Sequence, residues 1–183
     1  IRAALEHIAA GDFYQVNHTF RMVAPFSGDA ASLYADLSRS QSCGYGGFLD
    51  TGSHAIVSAS PELFFEWRHD RITSKPMKGT TARGVDLASD EQSRQWLASS
   101  PKNRAENLMI VDMVRNDLGR IARVGSVQVP ALFTTEKYDT VWQLTSTVTA
   151  EPRPGATLLD VFGALFPSAS ITGAPKVATM KII

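Results

Sequence analysis

Residues 73–80 read T-S-K-P-M-K-G-T and set a lysine, Lys78, between two residues that control the backbone. Pro76 fixes φ and removes a hydrogen-bond donor, and Gly79 admits backbone angles that other residues resist. An amine held in this way can act as a base or a covalent nucleophile. The ordinary lysine pKa of about 10.4 leaves a tiny free-amine fraction at neutral pH, so such a role requires desolvation or a nearby cation. The same residues also describe a polar turn after a strand. Glu62 follows Pro61 at the head of the strand that leads into this hairpin. A turn centred on His69 sets Glu62 across from Pro76, with Lys78 a diagonal neighbour at roughly 7–8 Å between Cα atoms. A two-residue turn shifts that register by one, yet the carboxyl and the amine still share one edge. The pair is either an acid and a nucleophile facing one substrate or a cross-strand ion pair.

Glu106 lies in P-K-N-R-A-E-N-L-M-I-V-D-M-V-R-N-D-L-G, a helical pattern that places Met109, Ile110 and Met113 on its face. A carboxylate in apolar surroundings neutralises, finds a cation or binds a metal. Lys102, four residues earlier, is the cation that competes with a metal role. Asp112, Arg115 and Asn116 read as an internal network of ion pairs and hydrogen bonds. Asp117, three turns beyond Glu106, is the weaker candidate for a place beside a metal. Residues 170–176, S-I-T-G-A-P-K, bring hydroxyls and a glycine to the start of a helix. Such a loop suits a carboxylate or phosphate, with Lys176 as counter-charge, or simply leads into the helix. It lacks the spacing of a P-loop.

The elements that must position these groups follow from the pattern. Helices are expected over 1–10 (closed by Gly11), 29–40, 86–99, 101–119 and 157–165, with a helical segment after Pro175. Strands are expected over 13–23, 44–49, 55–60, 62–68, 71–74, 126–129, 133–138 and 141–148. Strands and helices mix without βαβ alternation, so the fold class is α+β with a largely antiparallel sheet.

The 183 residues suffice for one domain with a substantial core. Eighteen basic residues balance eighteen acidic ones, giving no net field toward nucleic acid or an anionic membrane. The one cysteine, Cys43, excludes an internal disulfide and a multi-cysteine metal site, and the four histidines are scattered. No apolar run approaches the roughly 20 residues that cross a bilayer. A cytoplasmic location is expected. The first and last residues both fall inside helical patterns, as in a piece of a longer protein.

Six segments together resemble the chorismate-utilising enzymes: G-D-F-Y-Q-V-N (11–17), S-P-E (60–62), K-P-M-K-G-T (75–80), A-E-N-L-M-I-V-D-M-V-R-N-D-L-G-R (105–120), G-S-V-Q-V-P (125–130) and F-P-S-A-S-I-T-G-A-P-K (166–176). They run in family order over nearly the whole chain. Lys78 discriminates within the family. A lysine in this motif marks the branch of aminodeoxychorismate synthase component I, whereas alanine marks anthranilate synthase component I.

The resemblance implies part of a catalytic domain, a sandwich of two large antiparallel sheets with helices outside. The family's N-terminal domain is missing, and so is the continuation past residue 183, a glycine-rich segment and a glutamate-rich helix carrying further Mg²⁺ ligands. The implied reaction converts chorismate and ammonia to 4-amino-4-deoxychorismate for folate synthesis, with ammonia from a glutamine amidotransferase partner. Lys78 would form a covalent intermediate and Glu62 would protonate the leaving hydroxyl. Glu106 would bind Mg²⁺. Gly79, Thr80, Ser170, Thr172, Gly173 and Lys176 would orient chorismate. Gln143 stands where relatives commonly have histidine; it can donate a hydrogen bond to substrate but cannot titrate. The rival expectations are another chorismate enzyme, such as anthranilate synthase, and a catalytically inert binding module.

Overall fold

The computed structural model describes residues 1–41 and 44–182; Cys43 lies outside them. In chain order the elements are α1 (Arg2–Ala10), β1 (Gln15–Val16), α2 (Ala30–Gln41), β2 (Gly47–Asp50), β3 (Ala55–Ser58), β4 (Leu63–Arg68), β5 (Arg71–Lys75), β6 (Met77–Ala82), α3 (Leu87–Ser99), α4 (Pro101–Gly119), β7 (Gln128–Lys137), β8 (Val141–Ala150), α5 (Leu158–Leu165), β9 (Gly173–Ala174) and α6 (Lys176–Met180). Local chemistry sets the helix starts. Asp86 and Ser89 form a capping box on α3, and Thr157 and Asp160 form another on α5. Ser100 caps α4 ahead of Pro101, whose missing N–H is harmless at the first helical position.

The main sheet is antiparallel, with β8 at its centre. One side of β8 pairs with β7; the other pairs with β5 and then with β6, which lie end to end on either side of Pro76. β4 pairs with the outer edge of β5. Two small antiparallel ladders, β1–β9 and β2–β3, complete the strands among the described residues. α4 lays Ile110, Val111, Val114 and Leu118 over Ile72, Val148 and Ala150 of the sheet, and α5 adds Val161, Ala164 and Leu165. The chain is therefore α+β and antiparallel, as its pattern indicates.

Three expectations need correction. Residues 13–23 form only the two-residue β1, because a strand needs a partner and β9 offers just two residues. Residues 126–129 and 133–138 join into the single strand β7, which irregularities around Ala131 and a positive φ of 59° at Phe133 had disguised. Residues 77–80, which also read as part of a turn, belong to the strand β6, Met77–Ala82.

Candidate active site

Lys78 owes its position to a bulge. Met77 pairs with Thr145 and Thr80 with Gln143, so Lys78 and Gly79 together face the single residue Leu144. Gly79 has φ 105°, and a Cβ there would stand 3.1 Å from Asn103 Cβ and 3.2 Å from Leu144 Cβ; both conformation and space call for glycine. The Lys78 ammonium donates to the Ser170 carbonyl at 2.9 Å.

Glu62 reaches the same place from β4. The β4–β5 turn is the two-residue His69-Asp70, but an irregularity between Leu63 and Glu66 returns the register to Leu63 opposite Lys75. Glu62 is thus next to Pro76, and its Oε1 accepts the Met77 N–H at 3.3 Å. Burial pushes its carboxyl up from the ordinary glutamate value, against the opposing pull of the Met77 N–H, the Ser170 hydroxyl and the Lys78 charge. Glu62, Pro76, Phe166, Ser168 and Ser170 line a cavity of about 190 Å³.

The loop between α5 and β9 joins the two groups. Ser170 Oγ lies 2.9 Å from Ser168 Oγ, and Thr172 Oγ1 donates to the Ser168 carbonyl at 3.1 Å. The Thr172 hydroxyl therefore ties the loop to itself. The N-terminal segment clasps the loop from outside. Asn17 Nδ2 donates to the Ser170 carbonyl at 2.8 Å and the Asn17 N–H to the Thr172 carbonyl at 2.8 Å. A Cβ on Gly173 would meet the Gln15 carbonyl oxygen at 2.3 Å, so glycine is required for this clasp. On the neighbouring strand pair, Thr80 Oγ1 donates to Gln143 Oε1 at 2.7 Å. What Gln143 can then offer a ligand is its NH₂ group.

Glu106 is half-exposed on α4, with Lys102 Nζ at 3.9 Å. Lys176, expected to face substrate, is instead buried. Its ammonium donates to Asp117 Oδ2 at 2.6 Å and to the carbonyls of Ala164 and Leu165 at 3.1 and 3.3 Å, which occupies all three of its donors. Asp117 is likewise turned into the interior, paired with Lys176; burial pushes its carboxyl up while the Lys176 ammonium opposes that shift. Asp112 and Arg115, expected to form an internal network, pair at 2.8 Å on the surface.

The chorismate binding enzyme family model matches residues 1–183. The chain belongs to the chorismate-binding enzymes. It is 45% identical over 177 residues to aminodeoxychorismate synthase component 1 of Klebsiella aerogenes, covering 97% of this chain and 39% of that relative. It is 38% identical over 183 residues to anthranilate synthase component 1 of Aquifex aeolicus, covering 100% of this chain and 37% of that relative. The crystal structure of anthranilate synthase component I from Streptococcus pneumoniae superposes with a TM-score of 0.82 at 30% identity, over 98% of this chain and 39% of that one. The chain thus spans about two fifths of the length of these relatives.

In this chorismate-binding frame, Lys78 and Thr80 lie on β6, Glu62 just ahead of β4, Gln143 on the central β8, and Ser170 in the loop between α5 and β9. Among the described residues no three His, Cys, Asp or Glu side chains gather at one point. Glu106 alone is a poor Mg²⁺ site, since that ion favours near-octahedral oxygen coordination. The described residues do not by themselves fit the metal. Two residues with clear positional roles escaped the sequence reasoning: Asn17, and Asn107, buried under the bulge. Both lie inside family-matching segments, but no spacing rule singles out an asparagine.

Proposed function

We propose that this chain carries the chemistry of 4-amino-4-deoxychorismate formation from chorismate and ammonia. The observation that carries the proposal is the convergence of Lys78 and Glu62 on Ser170. One is an amine on a bulge; the other is a carboxyl whose burial favours its protonated form, as a general acid needs. The close relation to a protein named aminodeoxychorismate synthase component 1 supports the same reading.

The Lys78 nitrogen bonds to C2 of chorismate as the ring double bonds shift and the C4–O bond breaks. Glu62 gives its proton to the departing hydroxide, which leaves as water, and takes back the proton shed by the alkylated amine. Ammonia then bonds to C4, the double bonds return, and the C2–N bond breaks, with Lys78 regaining a proton from the added ammonia. The net change is chorismate plus ammonia to 4-amino-4-deoxychorismate plus water. Thr80, Gly79, Gln143 and Ser170 orient the substrate, and Thr172 and Gly173, both buried, hold the Ser170 loop in place for it. Glu106 would offer one carboxylate to a Mg²⁺ ion, which would hold the substrate carboxylate, and among the described residues no group of three His, Cys, Asp or Glu side chains completes that site. A glutamine amidotransferase subunit supplies ammonia, the product serves folate synthesis, and the setting is cytoplasmic.

The test uses the full-length protein with chorismate, Mg²⁺ and ammonia. The aminated product is expected, together with a covalent Lys78 adduct detectable by peptide mass spectrometry, and Lys78→Ala is expected to abolish both. Full product formation by Lys78→Ala would overturn the proposal. Anthranilate formation is the second reading, favoured by the 0.82 TM-score to anthranilate synthase component I. It predicts pyruvate release and anthranilate fluorescence instead.

A further inference from the structure

Both strands that flank β8 depart from regular pairing within two residues of each other along it, opposite Leu144 and Ser146. On one side Lys78 and Gly79 share Leu144; on the other, β7 shifts register between Ala131 and Thr134, with Phe133 at φ 59°. Bulges disrupt the ladder and leave backbone groups in need of other partners. Two buried side chains collect them. Asn107 Nδ2 donates to the Lys78 carbonyl at 3.3 Å and to the Leu144 carbonyl at 3.0 Å. Ser146 Oγ donates to Asn107 Oδ1 at 2.6 Å and accepts the Phe133 N–H at 3.1 Å. The amide orientation is fixed: two carbonyls demand the NH₂ and the hydroxyl proton demands the oxygen. Asn107 is 1% exposed and Ser146 is fully buried, so the unit works in a low dielectric where an unmade hydrogen bond is expensive.

We propose that Asn107, held by Ser146, is a positioning residue that keeps the β6 bulge open and so aims the Lys78 amine at the site. Closing the bulge would slide β6 by one residue, and a one-residue slip turns a side chain to the other face of a sheet. Asn107 prevents the slip by bonding the one carbonyl from each strand that the bulge sets face to face. It touches no substrate atom and acts only through the Lys78 backbone. The inference rests on Lys78 being the reacting amine.

The test uses the full-length protein and reads the position of Lys78 without turnover. Lysines are labelled with trinitrobenzenesulfonate and quantified by peptide mass spectrometry, with the exposed Lys102 as internal reference. Asn107→Leu is expected to release Lys78 and raise its labelling relative to Lys102 at least threefold. In the chorismate assay it is expected to lower kcat at least tenfold with KM within twofold. Val148→Ala, which thins the core without touching the bulge, should leave the labelling ratio unchanged. A ratio in Asn107→Leu that rises less than threefold, or rises equally in Val148→Ala, overturns the proposal. Should Asn107→Leu not fold, Ser146→Ala decides on the same criterion, with Ser146→Thr expected to restore the wild-type ratio by keeping the hydroxyl. Because labelling needs no substrate, it still reports on Asn107 if Lys78→Ala retains product formation and the functional reading fails.

Discussion

The two parts of this chain differ in how they are held. From β4 onward, apolar side chains of the sheet, α4 and α5 close over one another, and Ile72, Ile110, Leu118, Val148 and Val161 are shielded from solvent. Among the described residues of the first 60, Phe13 alone is buried. Leu5, Phe20, Met22, Val23, Phe26, Leu49 and Ile56 all stand exposed, with Val23 at 86%. The chemistry-bearing residues follow this division. Glu62, Lys78, Glu106 and Gln143 belong to the packed sheet and its helix, and the described residues of the N-terminal part contribute a clasp on the Ser170 loop and Ser60, whose Oγ accepts the Glu62 N–H at 3.2 Å. Catalytic geometry demands side chains fixed by packing, and only the second part supplies it.

The largest test of this contrast is the buried Lys176–Asp117 pair. Lys176→Met leaves Asp117 without its ammonium partner in the interior and is expected to lower stability by about 3–5 kcal/mol in urea unfolding. Phe20→Ala, at an exposed position, is expected to stay within about 0.5 kcal/mol. Similar losses for the two would erase the distinction. The clasp comes next. Gly173→Ala drives a methyl group into the Gln15 carbonyl oxygen. A loss of about 1–3 kcal/mol is expected, of the size that local backbone strain carries. Hydrogen exchange should speed up at the amides of Tyr14 and Asn17, which bond to the Ala174 and Thr172 carbonyls. Unchanged exchange there would mean that the loop is held without the N-terminal part.

The same division decided what could be read from sequence. The approach of Glu62 to Pro76 was legible because β4 and β5 form one hairpin, where counting from a turn fixes neighbours; Lys78 lies two residues further on, in β6, which pairs with β8. The count survived a two-residue turn because a compensating irregularity in β4 restored it. Helix α4 was legible from Pro101 at its start and Gly119 at its end, and α3 and α5 were read from pattern, their capping boxes at Asp86 and Thr157 showing in the structure. Lys176 was not legible, because the residue that turns it inward, Asp117, is 59 positions away. Periodicity put Asp117 and Glu106 on one helix face, yet α5 and its following loop cover only the Asp117 end. Strand 13–23 failed for a related reason: alternation records a capacity to pair, and pairing needs a partner edge.

A smaller effect separates Glu62 from an ordinary surface carboxylate. Its folded pKa is raised by burial, so the folded protein binds a proton that the unfolded chain has already released once pH passes the ordinary glutamate value of 4.5. Stability therefore falls as pH rises from that value to the raised one, and stays lower above it. Glu62→Gln removes the titration. Its melting temperature relative to the parent is expected to increase between pH 4.5 and neutrality, with the difference shrinking toward more acid pH. A pH-independent difference would show that Glu62 is not held in an unfavourable charged state.

The smallest expected effect concerns the other lysine–carboxylate pair of α4. Lys102 and Glu106 are 3.9 Å apart, with the lysine side chain 82% exposed, whereas Lys176 and Asp117 meet at 2.6 Å in the interior. Exposed i,i+4 pairs contribute about 0.3–0.5 kcal/mol, because water screens the charges and both side chains lose freedom in pairing. A double-mutant cycle with Lys102→Ala and Glu106→Gln is expected to give a coupling no larger than that. A carboxylate with so little structural work on a half-buried face is available to a ligand, so Glu106→Gln should raise the Mg²⁺ concentration needed for half-maximal activity of the full-length protein while Lys102→Ala leaves it unchanged. A coupling above about 1 kcal/mol, with no change in Mg²⁺ requirement, would assign Glu106 to the helix rather than to the metal.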